Sequence, residues 1–499
     1  MWSPIVLLLC LIPPVFLLFF FQYRRTFKNS NLPPGPRGLP IIGNLHQLDS
    51  SNLHLQLWKL SKKYGPIFSL QLGLRPAIVI SSSKVAKEAL KTHDVEFSGR
   101  PKLLGQQKLS YNGKDISFSP NGSYWREMRK LCVVHVLSSR RVTSFSSIIN
   151  CEVKQMIKKI SRHASSLKVT NLNEVLISLT CAIICRIAFG RRYEDEGTER
   201  SRFQELLNEC EAMLSIFFVS DYVPFLGWID KLSGLQARLE KSFKELDKFS
   251  QEVIEEHMDP NRRTSKEEDI IDVLLQLKKQ RSFSTDLTID HIKAVFMDLL
   301  IAATDPTAAT TVWAMTELVR HPRVMKKVQE EIRNLGGKKD FLEENDIQKF
   351  PYFKAVIKET LRLYPPVPLL LPKETNENCI IDGYEIAAKT LVYVNALAIQ
   401  RDPEIWEDPE EFLPERFLYS TIDFRGQDFE LIPFGAGRRS CPGMLMATAS
   451  LDLILANLLY LFDWELPAGM KKEDIDTEVL PGLVQYKKNP LCILAKCHM

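Results

Sequence analysis

A chain of 499 residues with 45% hydrophobic and 25% charged side chains has the apolar content for a large buried core, which excludes intrinsic disorder. Its 65 basic and 61 acidic side chains leave a formal charge of +4, too little to nominate nucleic acid as a partner. The ten cysteines are scattered with no C-x-x-C pair and no zinc-like spacing, and a cytosolic setting would keep them as thiols.

In chain order, the first feature is an uncharged apolar run at 5–21, followed by Arg24, Arg25 and Lys28. That length is close to the minimum for crossing a bilayer, and positive charge after the run puts the remainder of the chain on the cytoplasmic side. A cleaved signal peptide would carry its charge before the run. Residues 1–23 are therefore predicted to be a transmembrane signal anchor, and 24–49 a basic linker stiffened by Pro33, Pro34, Pro36 and Pro40. Runs at 67–72 and 76–80 around Gly73 predict a hairpin. Helical periodicity then covers 146–163, 172–189, 201–216, 236–257, 267–279, 289–320, 323–334 and 351–364. Breakers fall at 259–263, at His321 and Pro322, and at 364–368. With no internal repeat or composition break, 50–499 reads as one large domain, mainly α with a small β part.

Two residues are out of place in the 289–320 pattern. Asp305 puts a charge in an apolar helix, and Pro306 removes a backbone hydrogen bond at a cost of about 3 kcal/mol. The lost N–H is predicted to free the Ala302 carbonyl and open the helix locally. Further on, the glycine-rich stretch 433–443 carries Cys441 immediately before a helical pattern. A helix N-terminus is expected to depress a thiol pKa and hydrogen-bond the sulfur. With no second cysteine or histidine nearby, zinc is short of ligands, whereas haem iron needs one protein ligand. By itself a bare Gly-Cys-Gly cluster is better read as a glycine-rich turn ahead of a core helix.

The order F-x-x-G-x-R-x-C-x-G is complete, however, as Phe434, Gly437, Arg439, Cys441 and Gly443. It resembles the haem loop of cytochrome P450, the haem-thiolate monooxygenase family, and the chain is most similar to the plant microsomal A-type branch. W-x-x-x-R recurs as Trp125 and Arg129, and E-x-x-R as Glu359 and Arg362, with Arg416 in the later P-E-R-F. The resemblance implies a cytochrome P450 fold behind one N-terminal transmembrane helix, with 50–499 as the haem-binding catalytic domain. Cys441 would ligate the iron of haem b, with Phe434 beside the sulfur and Gly437 and Gly443 letting backbone approach the macrocycle. Arg439, Trp125 and Arg129 would meet the propionates, with Arg100 and Lys373 also among the cofactor contacts. Lys373 stands where the family usually has arginine. Glu359 is expected as a buried carboxylate between the two guanidinium forks of Arg362 and Arg416.

The family's central helix usually reads A/G-G-x-D/E-T-T/S, and here Pro306 replaces the first threonine. That hydroxyl helps to order water and protons for dioxygen, so a water held by Asp305, the Ala302 carbonyl and Thr307 or Thr310 is the expected substitute. The implied substrate pocket is lined by Leu103 and Leu104, by Met297, Leu300 and Ile301, by Val367, Leu369 and Leu370, and by Gly482 and Leu483. Its apolar character suits a small lipophilic compound. Residues 215–228 are expected to dip into the bilayer, and Arg126, Lys130 and Arg438 to dock an acidic reductase face. No nicotinamide or flavin fingerprint is present, so electrons from NADPH must arrive through a separate flavoprotein reductase. The implied activity is monooxygenation, by default hydroxylation, of a plant specialised metabolite at the endoplasmic reticulum membrane. The alternatives are a haem-thiolate enzyme that rearranges or dehydrates an oxime or peroxide without reductase, and a non-catalytic haem-binding protein.

Overall fold

The structure is a computed structural model and describes residues 31–191, 198–262, 268–280 and 286–498. The predicted anchor, 1–23, lies outside the described residues. The first part of the body holds α1 (Leu53–Tyr64), β1 (Ile67–Leu72), β2 (Arg75–Ile80), α2 (Ser123–Leu131), α3 (Ser146–Ser165), β3 (Thr170–Asn171) and α4 (Leu172–Phe189). The middle is helical: α5 (Thr198–Ser215), α6 (Leu235–Met258), α7 (Ile270–Gln280), α8 (Ile289–Arg320), α9 (Pro322–Gly336) and α10 (Pro351–Leu363). The last part contains β4 (Lys373–Glu374), β5 (Cys379–Ile381), β6 (Tyr384–Ile386), β7 (Leu391–Val394), α11 (Met444–Leu461), β8 (Phe462–Glu465) and β9 (Cys492–Cys497).

Helix limits follow local chemistry. Asn171 accepts the Glu174 N–H to start α4, and Gly190, at φ 72°, ends it in the left-handed conformation. The predicted 267–279 helix starts instead at Ile270, because the Asp269 carboxylate accepts the Asp272 N–H at 2.9 Å and acts as the cap. The expected 351–364 helix stops one residue early, since Tyr364 precedes Pro365 and is driven from the helical region.

The predicted hairpin is the edge of a four-stranded mixed sheet, ordered β1-β2-β7-β4, with β2 and β7 parallel and Ile78 opposite Val392. Its period of two divides the core. Ile67, Ile78, Ile80, Val392 and Val394 pack on one face, while Phe68, Leu70, Val79, Leu391 and Tyr393 pack on the other. The helical core is larger and is threaded by α8, which packs along α4. Trp313 of α8 is 1% exposed, stacks on Tyr364 at 4.1 Å between centroids and donates its indole N–H to the Gln485 carbonyl at 2.7 Å. Both α4 and α11 are long and apolar enough to cross a membrane by length and composition, but most of each is buried inside this core.

Candidate active site

The cysteine loop is shaped by its glycines. Gly437 has φ 70°, and a Cβ there would overlap the Leu90 carbonyl oxygen, so only glycine fits. The reason differs from the expected approach to a macrocycle, because the crowding comes from the neighbouring segment. Gly443, by contrast, faces the same cavity as Cys441, and a Cβ there would sit 3.9 Å from the Cys441 sulfur. The Cys441 N–H donates to the Phe434 carbonyl at 2.9 Å, and the sulfur receives the backbone N–H groups of Gly443 and Met444. Although deep in the body, Cys441 is open to the cavity.

The thiol pKa corrects the expectation drawn from the helix N-terminus. Burial pushes the Cys441 thiol up, and the two N–H groups and the Arg129 charge only partly oppose it. A bound metal cation would favour the thiolate, as it does for metal-ligating thiols.

The cavity measures about 290 Å³ and runs from Cys441 to the middle of α8. Arg100, Arg129, Lys373 and Arg439 all line it, and among the described residues no carboxylate lies within ion-pair distance of any of the four. Arg100 donates to the carbonyls of Ser117, Leu371 and Pro372 at 2.7–2.9 Å. Arg439 donates to those of Ser98, Ile116 and Ser119, with its guanidinium 3.8 Å from the Trp125 ring centroid. Arg129 donates to the Ser440 carbonyl at 2.6 Å. Burial and mutual repulsion weaken these cations: Arg100 is lowered to about 10, Arg439 to about 8, and Lys373 falls well below its usual value. Trp125 is not brought into the cavity, since it is buried and its N–H goes to the Ile116 carbonyl at 3.0 Å.

A cavity-facing thiol at the N-terminal end of α11, opposite four cations without acid partners, fits a metal macrocycle with two acid side groups. The thiol would supply one protein ligand to the metal, the cations would meet the acid groups, and the bare Gly443 leaves room beside the sulfur.

Glu359 and Arg362 are fully buried, and Arg362 grips the carboxylate bidentately through Nε at 2.7 Å and Nη2 at 2.9 Å. Arg416 adds a single bond, Nε to Oε1 at 3.1 Å, where two forks were expected. Its remaining N–H groups hold the Glu407 and Asp408 carbonyls. The link to the cysteine loop runs through Gln400, whose carbonyl accepts from Arg362 and whose side chain accepts the Ile432 N–H at 2.9 Å.

On α8, the helix continues across Pro306, and Ala302, Ala303, Pro306 and Thr307 all line the cavity. Thr310 does not, because its hydroxyl donates to the Pro306 carbonyl at 2.7 Å. Of the expected pocket residues, Met297, Ile301, Val367, Leu370 and Leu483 line the cavity. Leu300 points into the helical core, Leu104 and Leu369 pack in neighbouring clusters, and Leu103 is not on the wall. Gly482 is exposed to solvent.

Two acids that sequence reasoning missed also line the cavity. Glu211 of α5 has its carboxyl pushed up to about 10 by burial and by a hydrogen bond to Asp305. Asp298 of α8 accepts the Ile116 N–H at 2.8 Å and faces the fully buried Asp115; burial raises both carboxyls, Asp298 to about 6. Neither acid carries a sequence signal, since each matters only once a loop or helix is docked on α8.

A mainly helical body with a cysteine loop beneath a cation-rimmed cavity defines a haem-thiolate protein. The family model described as Cytochrome P450 matches residues 33–493, and the chain belongs to that family. It is 48% identical to the 5-OH-xanthotoxin synthase of Pastinaca sativa over 100% of this chain and 99% of the relative. It is 44% identical to the strychnine-11-hydroxylase of Strychnos nux-vomica, over 96% and 94% of the two chains. A zebra fish cytochrome P450 solved with progesterone superposes with a TM-score of 0.76 at 25% identity, covering 89% of this chain and 99% of that one. The protein is a monooxygenase that uses haem b.

Proposed function

We propose that the protein is a membrane-anchored monooxygenase of the endoplasmic reticulum that hydroxylates a small lipophilic plant specialised metabolite. The observation that carries this reading is the cavity itself, which sets Cys441 opposite the α8 wall and is otherwise mostly apolar. Bound haem b supplies the oxygen-activating iron, to which a thiolate ligand lends electron density. In this reading Cys441 is the ligand, held in place by the Gly443 and Met444 N–H groups. Arg100, Arg129, Arg439 and Lys373 hold the propionates, Lys373 as a point charge. Met297, Ile301, Val367, Leu370 and Leu483 exclude water and orient the substrate by shape. Asp305 and Thr307 flank Pro306 and hold the water that substitutes for the missing alcohol.

Membrane contact is supported by exposed apolar residues close to the end of the predicted linker. Leu39, Ile41, Leu74, Phe225 and Trp228 are all exposed, and backbone bonds from Gly73 to Ile42 and from Leu74 to Tyr222 tie their three segments together. Arg126 and Lys130 are exposed and free to meet a reductase acid face, whereas Arg438 is already paired with Asp94 at 2.9 Å. Pro306 favours a second reading, rearrangement or dehydration of an oxime or peroxide without a reductase.

A carbon monoxide difference spectrum of the reduced protein tests the thiolate ligand, and Cys441→Ala must abolish it. Turnover of a plant metabolite panel with and without NADPH and reductase decides between the readings. Product only with both supports hydroxylation; product with neither supports the second reading.

A further inference from the structure

Asp305 does not stand alone. Its partner is Glu211, from the helix α5 that packs over α8, and the two carboxyls are hydrogen-bonded to each other. Glu211 also accepts the Val484 N–H, and its side chain lines the cavity. Tyr486, from the same turn as Val484, brings a buried hydroxyl that faces both acids and has no hydrogen-bond partner in good geometry. The groups facing Glu211 are thus an acid and an amide, those facing Tyr486 are the two acids, and no cation acts on either among the described residues. Two carboxylates in contact away from water cannot both be ionised, so the pair holds a proton. Burial and the Asp305 hydrogen bond raise the Glu211 carboxyl.

The bond has a consequence for the reaction, because Asp305 immediately precedes Pro306, where the helix lacks its alcohol. We propose that Glu211 is a positioning residue: as a neutral acid it donates a hydrogen bond to the Asp305 carboxylate and holds it over the turn that Pro306 leaves without a hydroxyl. The proposal rests on the monooxygenase reading. It also makes α5 part of the site, since displacing that helix would release the Asp305 carboxylate.

The test uses the full-length holoenzyme. Infrared difference spectroscopy at neutral pH, wild type against Glu211→Gln, should isolate the C=O band of a protonated carboxyl that shifts in D2O. Asp115→Asn controls for the other buried acid pair and should leave that difference band in place. Glu211→Gln keeps an N–H donor to Asp305 and should change peroxide released per NADPH by less than about twofold. Glu211→Leu removes the donor and should raise peroxide release about tenfold, the effect of losing about 1.4 kcal/mol. Absence of the difference band, or unchanged peroxide release in a folded Glu211→Leu protein, would overturn the proposal. Failure of the wild type to yield oxygenated product would overturn the monooxygenase reading instead, and the infrared band does not depend on it.

Discussion

Glu359→Gln perturbs the buried network on which the cysteine loop leans. The carboxylate accepts four bonds: two from Arg362, one from Arg416 Nε and one from the Leu413 N–H at 2.8 Å. A glutamine oxygen can take over the three at Oε1, but its NH2 then faces Arg362 Nε, donor against donor. The neutral side chain also leaves the Arg362 charge buried without a counter-charge. Breaking one partner of a buried pair costs about 3–5 kcal/mol. Against a total stability of about 5–15 kcal/mol, that is a large share and corresponds to about two to three and a half powers of ten in the folded-to-unfolded ratio. Urea titrations followed by haem retention should therefore shift strongly downward for Glu359→Gln. Arg416→Lys, which gives up a single bond to the carboxylate and keeps the charge, should shift far less. A loss below about 1 kcal/mol for Glu359→Gln would mean that the pair behaves like a surface salt bridge, and the reasoning would fail.

The Asp115 and Asp298 carboxyls are raised by burial, so their contribution to stability is present at low pH and is lost as pH rises through about 6, the Asp298 value. Asp115→Asn mimics the protonated state, and its melting temperature should exceed wild type at about pH 8, with the gap closing as pH falls to the free carboxylate range of about 4. Gly437→Ala forces a side chain onto the Leu90 carbonyl at positive φ and should destabilise the fold by about 2 kcal/mol or more, whereas Gly443→Ala should leave the stability of the haem-free chain nearly unchanged, as parallel thermal melts would show. Pro306→Thr restores the alcohol and should lower peroxide released per NADPH; equal release would assign the proline a purely conformational role.

What could be read in advance was whatever local chemistry decides. The limits of α4 and α8 follow from an apolar run bounded by a capping residue and by a glycine or proline, and the structure places both as expected. Glu359, Arg362 and Arg416 meet because their spacing and order specify it, although the single bond from Arg416 depends on carbonyls of a loop that no pattern announces. The Cys441 pKa was misjudged because helix polarity is local while burial is a property of the whole body. Glu211 was invisible for the same reason: a polar residue on an amphipathic helix looks like solvent surface until the helix is laid across another. Leu300 and Gly482 fell outside the cavity wall because an apolar or small residue near a site does not say which way it points.

The four cavity cations have a bearing on how much protein a cell accumulates. Without a dianion between them, the chain folds against the burial and mutual repulsion that weaken Arg439 and Lys373. A ligand that binds only the folded form adds RT ln(1 + [L]/Kd) to stability, about 2.7 kcal/mol at a hundredfold excess over Kd. If the propionates fill that gap, haem acts as a folding ligand as well as a cofactor. Abundance of the protein would then track haem supply, and chains made during haem shortage would be removed by proteolysis before they could meet a substrate.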